Sequence, residues 1–356
     1  MIVAAHGDAA GGGGWGGRPS SSSASTSAST STSVSTSASG SFASISRSLT
    51  VFTCDHVVPA RNVHLACLSR GPTGGTLDFR HSGRERESIK DELGMTLLNV
   101  STVVPGGVVV FLPSYRYEAS LTRRWRETGT WAALGRRKGL HREPRESGDA
   151  ERCLERYARE ATGGGGRTAW SGKGKKGAIL FCVVGGKMSE GINFSDDRAR
   201  CVVVVGLPYP NITDPEMVEK MRSLDKGSGG GVGGGGASSA GRDYYRNLCL
   251  RAVNQSVGRA IRHGNDYAAV LLVDARYAAD GRVRSGLPRW LTRGGEGGAR
   301  DERGGGGGVA ARGRRDDASS SSFGGVMLRL RGFYRDIAAE RDEGGGGTDA
   351  RKGTTV

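Results

Sequence analysis

The sequence contains no C-x-x-C pair, although it has six cysteines (Cys54, Cys67, Cys153, Cys182, Cys201 and Cys249). Without paired spacing a zinc ribbon is excluded, and cysteines scattered through apolar runs act as small hydrophobes, so no metal site and no disulfide framework are expected. No apolar run approaches membrane-spanning length, and no early segment has the basic, apolar and small-residue order of a secretory signal. The chain reads as soluble and intracellular, with no membrane partner. Acidic residues are scarce, 36 against 51 lysines and arginines, and the net charge of +15 suits a polyanionic partner better than a small neutral substrate. A phosphate-cradling G-x-x-x-x-G-K-[ST] loop is missing as well. Gly186-Lys187 is followed by Met188 and stands five residues after Phe181, and Gly172-Lys173 runs into Gly174.

Of 356 residues, 61 are glycine, which leaves roughly 200 to 240 to build a core, the size of one ordinary domain. Residues 1–47 are Gly-rich and then Ser/Thr-rich, too polar to bury a core, and are expected to be disordered. Residues 48–292 carry the ordered pattern. A strand near 49–58 precedes a helix near 85–100, in which Leu93, Leu97 and Val100 recur at helical spacing. Val108-Val-Val-Phe-Leu112 is a continuous apolar run bounded by Gly and Pro, which predicts a strand buried on both faces. Ser114-Tyr115 opens a helix through Leu121 and Trp125, and another helix covers about 149–161. Strands follow at 178–184, 201–205 and 268–273. Apolar strands alternating with helices predict an α/β parallel sheet with helices on both faces. A Gly-rich insertion, 227–241, separates a short helix at 214–225 from a long one. Beyond 292, residues 293–325 read as a linker, 326–341 as an amphipathic helix and 342–356 as a tail.

Two constellations carry chemistry. Residues 254–262 read Asn-Gln-Ser-Val-Gly-Arg-Ala-Ile-Arg. On a helix, Gln255, Arg259 and Arg262 stand at i, i+4 and i+7, with Leu250, Val253, Val257, Ala260 and Ile261 on the opposite face. One side would bury against a sheet while the other aims forked donors at an anion. Gly258 leaves room for close approach, and His263-Gly264 supplies the expected C-cap. The second constellation, Gly185-Gly-Lys-Met-Ser-Glu-Gly-Ile-Asn-Phe-Ser-Asp196, lies beyond the carboxyl end of a strand. There, glycines let backbone N–H groups approach phosphate closely.

Gln-x-x-Gly-Arg-x-x-Arg before an apolar strand resembles motif VI of superfamily 2 helicases, and residues 186–196 resemble motif V. Together with Val-Gly-Leu-Pro-Tyr-Pro-Asn (205–211), they resemble the iron-sulfur branch of the DEAH-type DNA helicases. Met188, Asn193, residues 52–59 and residues 247–256 are most similar to the chromosome-loss (ChlR, Warsaw breakage) type, while the FANCJ-like and XPD-like sister families share the same motifs. Residues 104–115 resemble motif IV.

This resemblance implies a second RecA-like motor domain of a nuclear, ATP-dependent 5'–3' DNA helicase acting in DNA repair and sister chromatid cohesion. By the same resemblance, Arg259 and Arg262 serve as arginine fingers with Gln255 beside them, and Gly186, Glu190, Gly191, Asn193 and Gly258 lie along the nucleotide cleft. Ser114, Tyr115, Lys187 and Ser189 would contact single-stranded or forked DNA. ATP and Mg2+ would be held mainly by an N-terminal helicase half, in cis or in trans. The four clustered cysteines that bind the family's 4Fe-4S cluster are absent, and no Asp-Glu-Ala-His occurs, since Asp91-Glu92 continues as Leu93-Gly94. The chain alone is therefore expected to be inactive in ATP hydrolysis. An alternative from another class is a catalytically inactive nucleic-acid-binding module that keeps the basic surface.

Overall fold

The computed structural model describes residues 2–4, 50–52, 57–163, 177–188, 194–227, 239–293 and 322–345. It divides into two units, residues 1–55 and 56–356. In the first, β1 (Ile2–Ala4) pairs antiparallel with β2 (Thr50–Phe52). The strand expected near 49–58 is therefore three residues long, and its partner comes from the segment that sequence composition assigned to the polar leader.

The second unit is built on six strands: β3 (Val63–Leu68), β4 (Val108–Leu112), β5 (Gly139–Arg142), β6 (Ala178–Val183), β7 (Cys201–Val205) and β8 (Ala268–Val273). They lie in the order β3-β8-β7-β4-β6-β5, and every neighbouring pair is parallel. Parallel strands need crossovers, which cover both faces and bury the sheet. The helices are α1 (Glu87–Val103), α2 (Tyr115–Glu127), α3 (Thr130–Arg137), α4 (Ala150–Gly163), α5 (Pro215–Gly227), α6 (Ala240–Val257), α7 (Ala275–Ala279), α8 (Gly281–Ser285), α9 (Arg289–Arg293) and α10 (Phe323–Gly345).

The period-2 alternation of strand side chains divides the interior into two cores. Val109 and Phe111 of β4 join Leu180, Val202, Val204 and Val270 beneath α4, α6 and the three short helices α7, α8 and α9. Val108, Val110 and Leu112 join Phe181, Val203 and Leu271 beneath α1, α2, α3 and α10. Along α10, Val326, Leu330, Tyr334 and Ile337 recur at helical spacing on the buried face. Among the described residues, no helix is long and apolar enough to cross a membrane.

Because all strands run the same way, the sheet has one edge of strand starts and one of strand ends. At the starting edge, backbone packs directly on backbone. Gly177, at φ +97°, lies so close to the Gly106 carbonyl that a Cβ would overlap it, so only glycine fits there. The two edges are separated by the strand length, about 17–20 Å for five or six residues.

One expectation about the fold is corrected. The helix bearing Gln255 was expected to run to His263, but α6 ends at Val257, with Gly258 as its C-cap donating its N–H to the Asn254 carbonyl at 2.9 Å. Gly258 is a poor helix former, and both Ala260 and Ile261 are buried. Neighbouring residues can both enter the core when the chain leaves the helix.

Candidate functional site

The structure splits the candidate residues between the two edges of the sheet. At the carboxyl edge, β4 ends at Leu112 and Ser114 caps α2, its hydroxyl oxygen accepting the Tyr117 N–H at 3.2 Å. Tyr115 follows at the first helical position. Its phenol donates to Glu143 Oε1 at 2.7 Å, and burial, then this carboxylate, push the phenol up to about 12. From the end of β6 the chain turns through Gly185, and Lys187 Nζ donates to the Arg145 carbonyl at 2.9 Å. Ser114, Tyr115 and Lys187 therefore share one edge.

Glu143, which no sequence motif singles out, organises this edge. Just beyond β5, it is 7% exposed and receives the Val183 N–H at 2.7 Å and the Met188 N–H at 3.0 Å besides the Tyr115 phenol. Beside it, Arg142 forms a two-pronged ion pair with Glu118 of α2. The surrounding His-Arg-Glu-Pro-Arg-Glu, residues 141–146, has the composition of an exposed loop, so nothing local announces the burial of Glu143.

Gly186, which the resemblance assigns to the nucleotide cleft, lies against Glu143 in the structure. Its N–H donates to the Val183 carbonyl at 2.9 Å, and a Cβ there would stand 2.5 Å from Glu143 Oε1. The glycine thus makes room for a carboxylate, whose charge repels phosphate. Gly258 likewise spends its N–H on the helix end. Ser189, Glu190, Gly191 and Asn193 lie outside the described residues.

At the amino edge, α6 runs antiparallel to the strands. Tyr245 near its start donates to the Pro210 carbonyl beyond β7, and its far end delivers Arg259 and Arg262 onto the turn before β8. Gln255 remains on the last turn of α6, exposed, in a groove with Asn247, Arg251, Asn254 and Gly286. Arg262 is exposed and Arg259 half-buried. The turn is braced from below. His263 Nε2 lies 3.1 Å from Asp196 Oδ1, and Arg200, 2% exposed, donates to Asp197 at 3.0 Å and to the fully buried Asp266 at 2.9 Å. The Arg200 guanidinium also lies 3.9 Å from the Tyr267 ring centroid. The end of the Gly186-to-Asp196 constellation is thereby tied to the arginine-bearing turn.

Neither edge presents a metal centre among the described residues. Asp196, His263 and Asp266 offer ligand atoms within 4.8 Å of one another, but the Arg200 guanidinium already sits among these carboxylates and neutralises part of their charge. Cys153, Cys182, Cys201 and Cys249 are buried on four separate elements, and burial pushes each thiol up. They do not fit a 4Fe-4S cluster, which needs convergent thiolates.

A parallel sheet with helices on both faces and paired basic and glycine-rich loops at its edges defines a RecA-like motor domain. Residues 97–294, more than half of the chain, match the Helicase C-terminal domain family, and the chain belongs to that family. It is 45% identical over 240 residues to the ATP-dependent DNA helicase DDX11 of Danio rerio, covering 67% of this chain and 26% of that protein. Against DDX11 of Mus musculus the identity is 42%, with the same coverage. Against the ATP-dependent DNA helicase CHL1 of Candida albicans it is 40% over 250 residues, 69% of this chain and 28% of that protein. The chain thus spans about a quarter of the length of these relatives. Among solved structures it is similar to an XPD helicase, with 19% identity and a TM-score of 0.41, covering 63% of this chain and 33% of that one.

Proposed function

We propose that this chain is the second motor domain of an ATP-dependent 5'–3' DNA helicase acting in the nucleus. Arg259 and Arg262 would meet the γ-phosphate of ATP, whose Mg2+ and phosphates are held by a companion motor domain carrying a phosphate loop. Ser114, Tyr115 and Lys187 would guide a single strand along the opposite edge. The observation that carries this reading is the departure of both arginines from α6 at Gly258 onto a turn fixed by Asp196, Arg200 and Asp266. A preorganised guanidinium needs no reorganisation when charge develops on a transferring phosphoryl group, which is why such arginines contribute so much to turnover.

The test joins this chain to a companion domain with a phosphate loop and measures ATP turnover. Arg259→Ala or Arg262→Ala should each lower turnover by about 10³ while DNA affinity stays within a few fold. Wild-type turnover in both variants would overturn the assignment. Alone, the chain is a nucleic-acid-binding module without hydrolysis, because its sequence has no loop to hold Mg-ATP.

A further inference from the structure

Three donors converge on Glu143 from three elements. The Tyr115 phenol comes from α2, the Val183 N–H from the last residue of β6, and the Met188 N–H from the turn beyond it. Oε1 accepts two of these and Oε2 the third. The side chain reaches this position because Gly186 has no Cβ to exclude it. A carboxylate that accepts several N–H and O–H groups makes the strong, charge-assisted kind of hydrogen bond, and leaving such donors unmet in a buried place is costly. Lys187 lies between two of the anchored positions, Val183 and Met188, and its ammonium is drawn to the Arg145 carbonyl, two residues beyond Glu143. One acidic side chain therefore sets the relative placement of a phenol and an ammonium that come from separate strand ends.

We infer that Glu143 is a positioning residue for single-strand binding: its carboxylate locks Tyr115 and the 185–188 turn together, so that the phenol and the Lys187 ammonium meet the same stretch of phosphate backbone. This rests on the proposed nucleic-acid role of the carboxyl edge. The carboxylate itself touches no phosphate, since it is buried and its charge would repel one. Its replacement by an amide of the same shape cannot satisfy all three donors. If the amide oxygen takes the place of Oε1, the NH2 group faces the Val183 N–H; turned the other way, it faces the Met188 N–H. Either way one anchor is lost, at the end of β6 or at Met188, and the segment that carries Lys187 is freed at that end.

The experiment uses the full chain and a fluorescein-labelled oligothymidylate of about 20 nucleotides, with affinity read by anisotropy between 50 and 200 mM salt. Glu143→Gln and Tyr115→Phe should each weaken binding about fivefold. The double variant should be little weaker than either alone, because residues acting through one contact are coupled. Glu143→Gln should also lower the slope of log affinity against log salt by about one, as Lys187→Ala does, because one phosphate contact is lost. A purely structural role would not change that slope. Wild-type affinity and slope for Glu143→Gln, with Lys187→Ala weakened, would overturn the inference and leave the nucleic-acid reading intact. Unchanged binding in both Lys187→Ala and Ser114→Ala would overturn that reading itself. Should Glu143→Gln fail to fold, Tyr115→Phe decides by hydrogen exchange. Faster exchange at the Met188 amide supports the coupling, and unchanged exchange overturns it.

Discussion

Tyr334 of α10 donates its phenolic hydrogen to the main-chain carbonyl of Arg200 at 2.6 Å, so the last described helix is bonded to the residue just before β7. The same carbonyl accepts the Ala269 N–H, and from the same helix Arg341 reaches the Asn265 carbonyl and lies 4.4 Å from the Tyr267 ring centroid. The helix thus touches both the residue before β7 and the segment that leads from the arginine-bearing turn into β8.

Removing either side of this arrangement should have unequal costs. Tyr334→Phe leaves the carbonyl with one donor and should cost about 1 kcal/mol. Arg200→Ala leaves the fully buried Asp266 carboxylate without its charge partner and should cost about 3–5 kcal/mol. Urea denaturation of the two variants checks the difference, and equal midpoints would contradict it.

Acid should weaken the seat of α10. His64 on β3 stacks on Phe333, with ring centroids 5.5 Å apart, and burial, then the nearby Arg329 charge, lower its pKa from 6.5 to about 4. The unfolded chain therefore binds the extra proton first. Stability should fall as pH drops from 6.5 toward 4, by about 3 kcal/mol in all, and level off below that. In His64→Leu this part of the pH dependence should vanish, as followed by melting temperature against pH.

The glycine-rich insertion should be dispensable for stability. The helices that flank it are already joined, with the Gly241 N–H donating to Asp225 Oδ1 at 2.7 Å, and loop length alone costs only about 0.6 kcal/mol per doubling. Cutting residues 228–238 to about four should leave the melting temperature within about 5 °C of the parent.

Single-strand binding by the isolated chain should be salt-sensitive and indifferent to nucleotide. Phosphate contacts release counterions, so affinity for an oligonucleotide should fall steeply between about 50 and 200 mM salt. Adding Mg-ATP should not change it, since the sequence contains no phosphate loop. An ATP effect in the anisotropy titration would reveal a nucleotide site in this chain.

The central strands were legible because burial on both faces demands an unbroken apolar run, which β4, β6, β7 and β8 all have. The outer strands were not. Gly139–Arg142 is four residues with a His and an Arg, and Val63–Leu68 includes His64, whose burial depends on a ring from α10 hundreds of residues away. The family was readable from the motif that carries Gln255, Arg259 and Arg262, but the helical spacing of these residues misled, because tertiary burial of Ala260 and Ile261 overrode it. Glu143 and Arg200 became visible only in three dimensions. A buried charge is defined by what converges on it, and neither the Gly186 vacancy nor the Asp266 carboxylate is near in sequence.

The parallel order of all six strands has a mechanical consequence. A load applied between the carboxyl and amino edges runs along the strands and meets the inter-strand hydrogen bonds in shear. Shear requires a whole ladder to yield together, whereas a sideways pull can open it one bond at a time. A domain gripped at its two opposite edges is thus stiffest along the line joining them.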